Sequence, residues 1–128
     1  MKYIIFLFSA CFFITCNTSK SPISPKLDNE FEINYGQSVN LQNHNLIIKF
    51  KAVDEDSRCP EGSVCVWEGN ARIVIEISQT ALVLNTKSEP KEIEHIGYKI
   101  RLTAVYPYPK TNEQIKIEDY SIKLFVTK

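Results

Sequence analysis

Residues 98–106 read Tyr98-Lys99-Ile100-Arg101-Leu102-Thr103-Ala104-Val105-Tyr106. Tyr98, Ile100, Leu102, Ala104 and Tyr106 fall on one side of an extended chain, and Lys99, Arg101 and Thr103 on the other. Alternation with period two marks a half-buried strand. The same pattern recurs outward in both directions. Leu46, Ile48, Phe50 and Ala52 share a face against Lys49 and Lys51. Ala71, Ile73, Ile75 and Ile77 oppose Arg72 and Glu76, and Tyr120, Ile122, Leu124 and Val126 oppose Ser121, Lys123 and Thr127. Weaker strands are predicted at 30–35, 37–41, 81–85 and 114–117. Gly36, Asn43-His44-Asn45, Asn85 to Pro90 and Pro109 to Asn112 supply turns. The charged run Ser88 to His95 around Ile93 reads as a loop or a single turn. About seven or eight short strands in one domain predict an all-β fold, an immunoglobulin-like β-sandwich, with a small β-barrel as the alternative.

The chain has 128 residues, 15 Lys+Arg against 15 Asp+Glu, and 44% hydrophobic residues. That length suits one domain. Balanced charge argues against a nucleic-acid binder, which needs a basic surplus to neutralise phosphates. The opening MKYIIFLFSACFFITC differs from the rest of the chain. Lys2 precedes an apolar run too short for an ordinary membrane-spanning helix, as in a secretory signal. The run ends at Cys16, where polar character begins at once with Asn17-Thr18-Ser19. A cysteine at that junction resembles the lipobox of bacterial lipoproteins, which implies lipidation of Cys16. Cys11 is the less suitable alternative, because cleavage there would leave Phe12-Phe13-Ile14 at the new terminus. The domain reading is therefore a signal over 1–16, a flexible spacer over 17–29 and a β-sandwich over 30–128. The expected location is the bacterial envelope, tethered by lipid to a membrane. Lack of acidic residues just after Cys16 favours the periplasmic face of the outer membrane.

One motif stands out, Arg58-Cys59-Pro60 followed by Cys65, Trp67, Gly69 and Ala71. Cys59 and Cys65 are the remaining cysteines, and in an exported chain they are predicted to pair. Pro60 and Gly62 allow the tight reversal that such a small ring needs. Trp67 lies two residues beyond Cys65, so in an extended segment its indole would plug against the disulfide. This motif, with Tyr106-Pro107-Tyr108-Pro109 and Asp119-Tyr120 later, resembles that of small exported bacterial lipoproteins over most of residues 46–127. The resemblance implies location and a β-rich fold, and carries no catalytic residue across.

Beside the purely structural reading of a stapled strand connection, the loop admits three functional ones. Arg58 and Trp67 are residue types that anchor interfaces, and a cross-linked loop loses little entropy on binding. These two and Tyr108 are the candidate binding residues, for an envelope protein partner or, as the alternative, for a hydrolase or proteinase that the loop inhibits. Asp54, Glu55, Asp56, Glu61 and Glu68 bring oxygen ligands near one loop, but their spacing does not match an EF-hand, and no metal is expected. Redox chemistry usually needs a closer C-x-x-C pair. His44 and His95 stand in polar segments outside any zinc spacing, and no nucleophile elbow or phosphate-binding loop is present. The expectation is a binding or structural protein, not an enzyme, without a cofactor. Tyr106 and Tyr108 read either as caps on the core or as a wall for sugar or peptide stacking.

Overall fold

The computed structural model describes residues 24–128. Signal residues 1–16, with Cys11 and Cys16, and most of the spacer lie outside the described residues. Eight strands follow in order: β1 (Glu30–Asn34), β2 (Ser38–Leu41), β3 (Leu46–Asp56), β4 (Ala71–Ile77), β5 (Thr80–Asn85), β6 (Glu92–His95), β7 (Tyr98–Tyr106) and β8 (Ser121–Thr127). They form two four-stranded antiparallel sheets, ordered β1-β8-β7-β6 and β2-β3-β4-β5. The fold is the two-layered sandwich expected from the alternation, and it is not closed into a barrel. Its likeness to an immunoglobulin domain lies in the layers and not in the connections. An immunoglobulin chain changes sheet three times. Here it changes sheet between β1 and β2 and again between β5 and β6, leaving each set of consecutive strands as a simple meander.

The inward faces supply the core: Ile33 from β1, Leu41 from β2, Ile48 and Phe50 from β3, Ile73 and Ile75 from β4, Leu84 from β5, Ile100 from β7, and Ile122 and Leu124 from β8 are all buried. Burying side chains of this size stabilises by roughly 1.5–3 kcal/mol each. Outward faces are charged in register. Glu92 stands opposite Arg101, Glu94 opposite Lys99, and Glu32 opposite Lys123. Such cross-strand pairs favour this pairing over its one-residue slips.

Four departures from the alternation have local causes. In β7 the register shifts between Leu102 and Ala104, so Thr103 is an extra residue, and its hydroxyl donates to the carbonyl of Lys123. Beyond this bulge the faces exchange: Val105 is buried, Ala104 is half-buried and Tyr106 is exposed, whereas strict alternation placed Ala104 and Tyr106 in the core. A bulge at Lys51 does the same in β3, leaving Ala52 half-buried and turning Val53 toward the core. No strand forms at 114–117; Ile115 packs against the core from a loop, and a 3-10 turn spans Ile117–Asp119. Conversely, Glu92–His95 is a short edge strand because Ile93 packs inward while both glutamates pair outward. The packed unit also starts earlier than residue 30. Pro25 is buried, its carbonyl accepts from Gln42 N–H, and Asp28 N–H donates to Val126.

Two of the hairpins turn on a pair of adjacent residues in the left-handed region. The β4–β5 hairpin turns on Ser78 and Gln79, and the β6–β7 hairpin on Ile96 and Gly97, all with positive φ. This is the turn form that matches strand twist, and it favours Asn-Gly. Ile96, at φ 45° and exposed, is the least suited of the four. Left-handed backbone costs a branched L-residue about 1–2 kcal/mol, and asparagine tolerates it better. Ile96→Asn is therefore expected to stabilise the domain by about 1 kcal/mol, read as a higher melting temperature.

Candidate functional site

One end of the sandwich gathers a buried ion pair, the disulfide and an exposed apolar stretch. It begins where β3 runs out. Past the pairing of Asp56 with Ala71, the hairpin narrows: Ser57 N–H donates to Asn70 at 2.7 Å, and Cys59 N–H to Glu68 at 2.9 Å. Gly69, at φ 72°, lies against the backbone of Ser57 so closely that a Cβ there would stand 1.7 Å from the Ser57 carbonyl oxygen. Only glycine fits both the dihedral and the space.

This narrowing turns Arg58 inward, where it is only 8% exposed. Its Nε donates to Asp56 Oδ1 at 2.8 Å and its Nη2 to Asp56 Oδ2 at 2.7 Å, a two-pronged ion pair. Nη1 donates to the Val105 carbonyl at 2.6 Å, and Nη2 also to that of Pro107 at 3.0 Å. The guanidinium lies 5.2 Å from the ring centre of Tyr108. Tyr120 adds a hydrogen bond from its hydroxyl to Asp56 Oδ2 at 2.8 Å. Burial pushes the Asp56 carboxyl up, but the hydrogen bonds from Arg58 and Tyr120 and the guanidinium charge outweigh it, so the group sits below its ordinary value. Burial, and then the carboxylate it serves, push the Tyr120 hydroxyl up to about 12. The network joins the end of one sheet to the end of β7 and to the residue just before β8 in the other.

The disulfide between Cys59 and Cys65 is formed, with Cα atoms 5.9 Å apart. The loop it closes is pinned to the chain after β7. Glu61 N–H donates to Pro109, and Thr111 Oγ1 donates to the Glu61 carbonyl, both at 2.9 Å. That commits the single hydroxyl proton of Thr111, so the 2.7 Å contact between Ser63 Oγ and Thr111 is donated by the serine. What this loop and the two residues after Cys65 present is apolar. Val64 is fully exposed, Val66 is 89% exposed and Trp67 is 80% exposed.

The predicted site residues separate accordingly. Arg58 and Tyr108 meet, yet Arg58 is an internal clamp and not an exposed anchor. The indole of Trp67 does not plug the disulfide; it points into solvent, because residues 65–70 leave strand geometry before the next strand begins. Val64 and Val66 join it, a patch that composition could not flag because apolar residues near a cysteine ordinarily read as core. The five acidic residues do not converge. Asp56 serves Arg58, Asp54 faces Arg72 at 3.8 Å, and Glu68 pairs with Lys87, which holds its carboxyl below the ordinary value. Among the described residues, no group of three or more metal-ligating side chains gathers. His44 lies at the opposite end, where its ring nitrogen is 3.4 Å from the Tyr98 hydroxyl.

Beside the exposed tip runs a groove of about 440 Å³, walled by Glu68 and Gly69, by Lys87 and Lys91 from the β5–β6 connection, and by β7 and Tyr108. Comparison with protein families, with curated proteins and with solved structures finds no match. The site is therefore read from its own geometry.

Two outcomes follow from the clamp. Asp56 is depressed in the fold, so its contribution to stability is full above 3.8 and is lost as pH falls through the lower folded value. Tyr120 is raised, so its contribution is full below 10.0 and is lost as pH rises toward about 12. Urea unfolding followed against pH should show both limbs, and Tyr120→Phe should flatten the alkaline one and shrink the acid one. Gly69→Ala should destabilise by roughly 3 kcal/mol or more in the same assay, since backbone and not a flexible side chain must yield.

Proposed function

We propose that this chain is a lipid-anchored binding protein of the bacterial cell envelope, and that the disulfide-stapled tip is its recognition surface. The tether is read from the sequence, in the apolar run ending at Cys16 and in the resemblance to exported lipoproteins. The observation that carries the binding role is the exposure of Val64, Val66 and Trp67, in and just after a loop held by a disulfide and by hydrogen bonds to the chain after β7. Leaving such a patch in water has no stabilising role, and patches of this kind mark interaction sites. Holding it rigid lowers the entropy lost on binding.

Chain direction supports the same reading. Pro25 is tied to the 42–45 turn, at the end of the sandwich opposite the tip. The length of β4, about 20 Å, separates the two ends. A domain tethered through its N-terminal segment thus holds the tip away from the attachment point and toward a partner. Trp67 and Val66 replace Arg58 as the anchors of that contact. The partner is a protein with an apolar cleft; a hydrolase inhibited by the loop is one form of it, favoured by the loop's rigidity. No catalytic role is assigned.

A photo-crosslinking residue at position 64, in whole cells, should yield a discrete protein adduct. The same residue at Lys49, on the outer face of β3, should not. Val66→Ser with Trp67→Ser should abolish the adduct while leaving stability within about 0.5 kcal/mol, as for other surface changes. Cys16→Ser should release the protein from the membrane fraction. Identical adducts from positions 64 and 49, or none from either, would refute the recognition role.

A further inference from the structure

The groove beside the tip has a chemistry distinct from the tip itself. Its floor is the upper part of β7, with the half-buried Ala104 and the buried Val105, and Tyr106 and Tyr108 form one wall with rings exposed by about half. Thr86 and Thr103 also line it, with their hydroxyls engaged by the protein: Thr86 Oγ1 accepts from Ala71 N–H and Thr103 Oγ1 donates to the Lys123 carbonyl. Two lysines line the opposite side. Lys87 is engaged by Glu68, the one acidic residue of the groove. Lys91 is half-buried and, among the described residues, makes no ion pair. A volume of about 440 Å³ lies within the range of small-molecule sites, about 300–1,000 Å³.

We infer that this groove is a binding site for an acidic saccharide, with Lys91 receiving the carboxylate and with Tyr106 and Tyr108 receiving the sugar rings on the faces turned away from the Lys123 and Arg58 cations that lie over them. Lys91 makes no ion pair among the described residues, although its charge acts on Glu68, and an anion in the groove would give its ammonium a charge-assisted hydrogen bond. An extended acidic peptide would also suit the lysine, but it binds a sheet by pairing with free backbone at an edge. Here that edge is already used. Leu102 N–H donates to the Lys91 carbonyl, and Arg58 donates to the carbonyls of Val105 and Pro107. Beyond β6, then, the arginine side chain stands where a strand partner would otherwise pair with β7. The site is separate from the tip, and its ligand is independent of the tip's partner.

Isothermal titration of the full chain with digalacturonate and with N-acetylmuramic acid tests this, against cellobiose and a diglutamate peptide. At least one acidic sugar should bind about tenfold or more tightly than cellobiose, the gain of one charge-assisted hydrogen bond. Lys91→Gln should erase that difference and Lys91→Arg should keep it. Tyr106→Ala should weaken the acidic sugar with the melting temperature unchanged. Val66→Ser with Trp67→Ser should leave sugar binding intact, which separates failure here from failure of the tip. No binding of either acidic sugar, equal binding of cellobiose, or tighter binding of the peptide would overturn the inference.

Discussion

The ion pair between Asp56 and Arg58 holds the two sheets together at the end that carries the disulfide loop. Both side chains are nearly buried, and the guanidinium reaches across to the Val105 and Pro107 carbonyls while Tyr120 steadies the carboxylate. Taking two charges out of water costs several kcal/mol each, and attraction offsets this only when geometry is good and the remaining polar positions are filled. Here they are filled, and no buried side-chain nitrogen or oxygen among the described residues lacks a partner. Such a pair adds little net stability compared with a well-packed apolar pair. Its consequence is positional: it sets where the narrowing hairpin leaves β3 and how it lies over β7.

Everything beyond the clamp depends on that placement. Gly69 allows the hairpin to close on Ser57, the disulfide ties off the loop, and Thr111 binds it to the neighbouring connection. These constraints hold a segment that has almost no apolar burial of its own. Loops usually lie on the surface and carry function on a rigid scaffold. In this chain the scaffold's contribution is to keep three apolar side chains in water, in one arrangement, at the end remote from the chain's entry.

The β-bulges connect packing to the site. The extra residue Thr103 exchanges the faces of β7, so Val105 enters the core and Tyr106 turns out beside Tyr108. Had the alternation continued, Tyr106 would have been buried and the groove would have lost one of its aromatic walls. The short edge strand β6 works in the same direction. Because it begins only at Glu92, opposite Arg101, the last residues of β7 are left without a strand neighbour on that side, and the groove occupies the gap.

How much of this was legible follows from the range of the forces involved. Alternation in 46–52, 71–77, 98–102 and 120–126 declares strands directly, since period two reflects only the local pleat and the demand for one oily face. The pairing of Cys59 with Cys65 was readable for a similar reason, as two nearby thiols joined by a turn-forming segment in a chain whose opening residues read as an export signal. What the chain alone left open were facts about neighbours. Arg58 reads as an exposed anchor until Asp56, Val105 and Tyr120 surround it. Trp67 reads as a plug until the backbone leaves strand geometry. Lys91 reads as one more surface charge until the groove forms beside it. Local patterning determined the layers and the staple; long-range packing decided which charges were buried and which oily residues stayed in water, because both depend on partners 47 to 64 residues away in sequence.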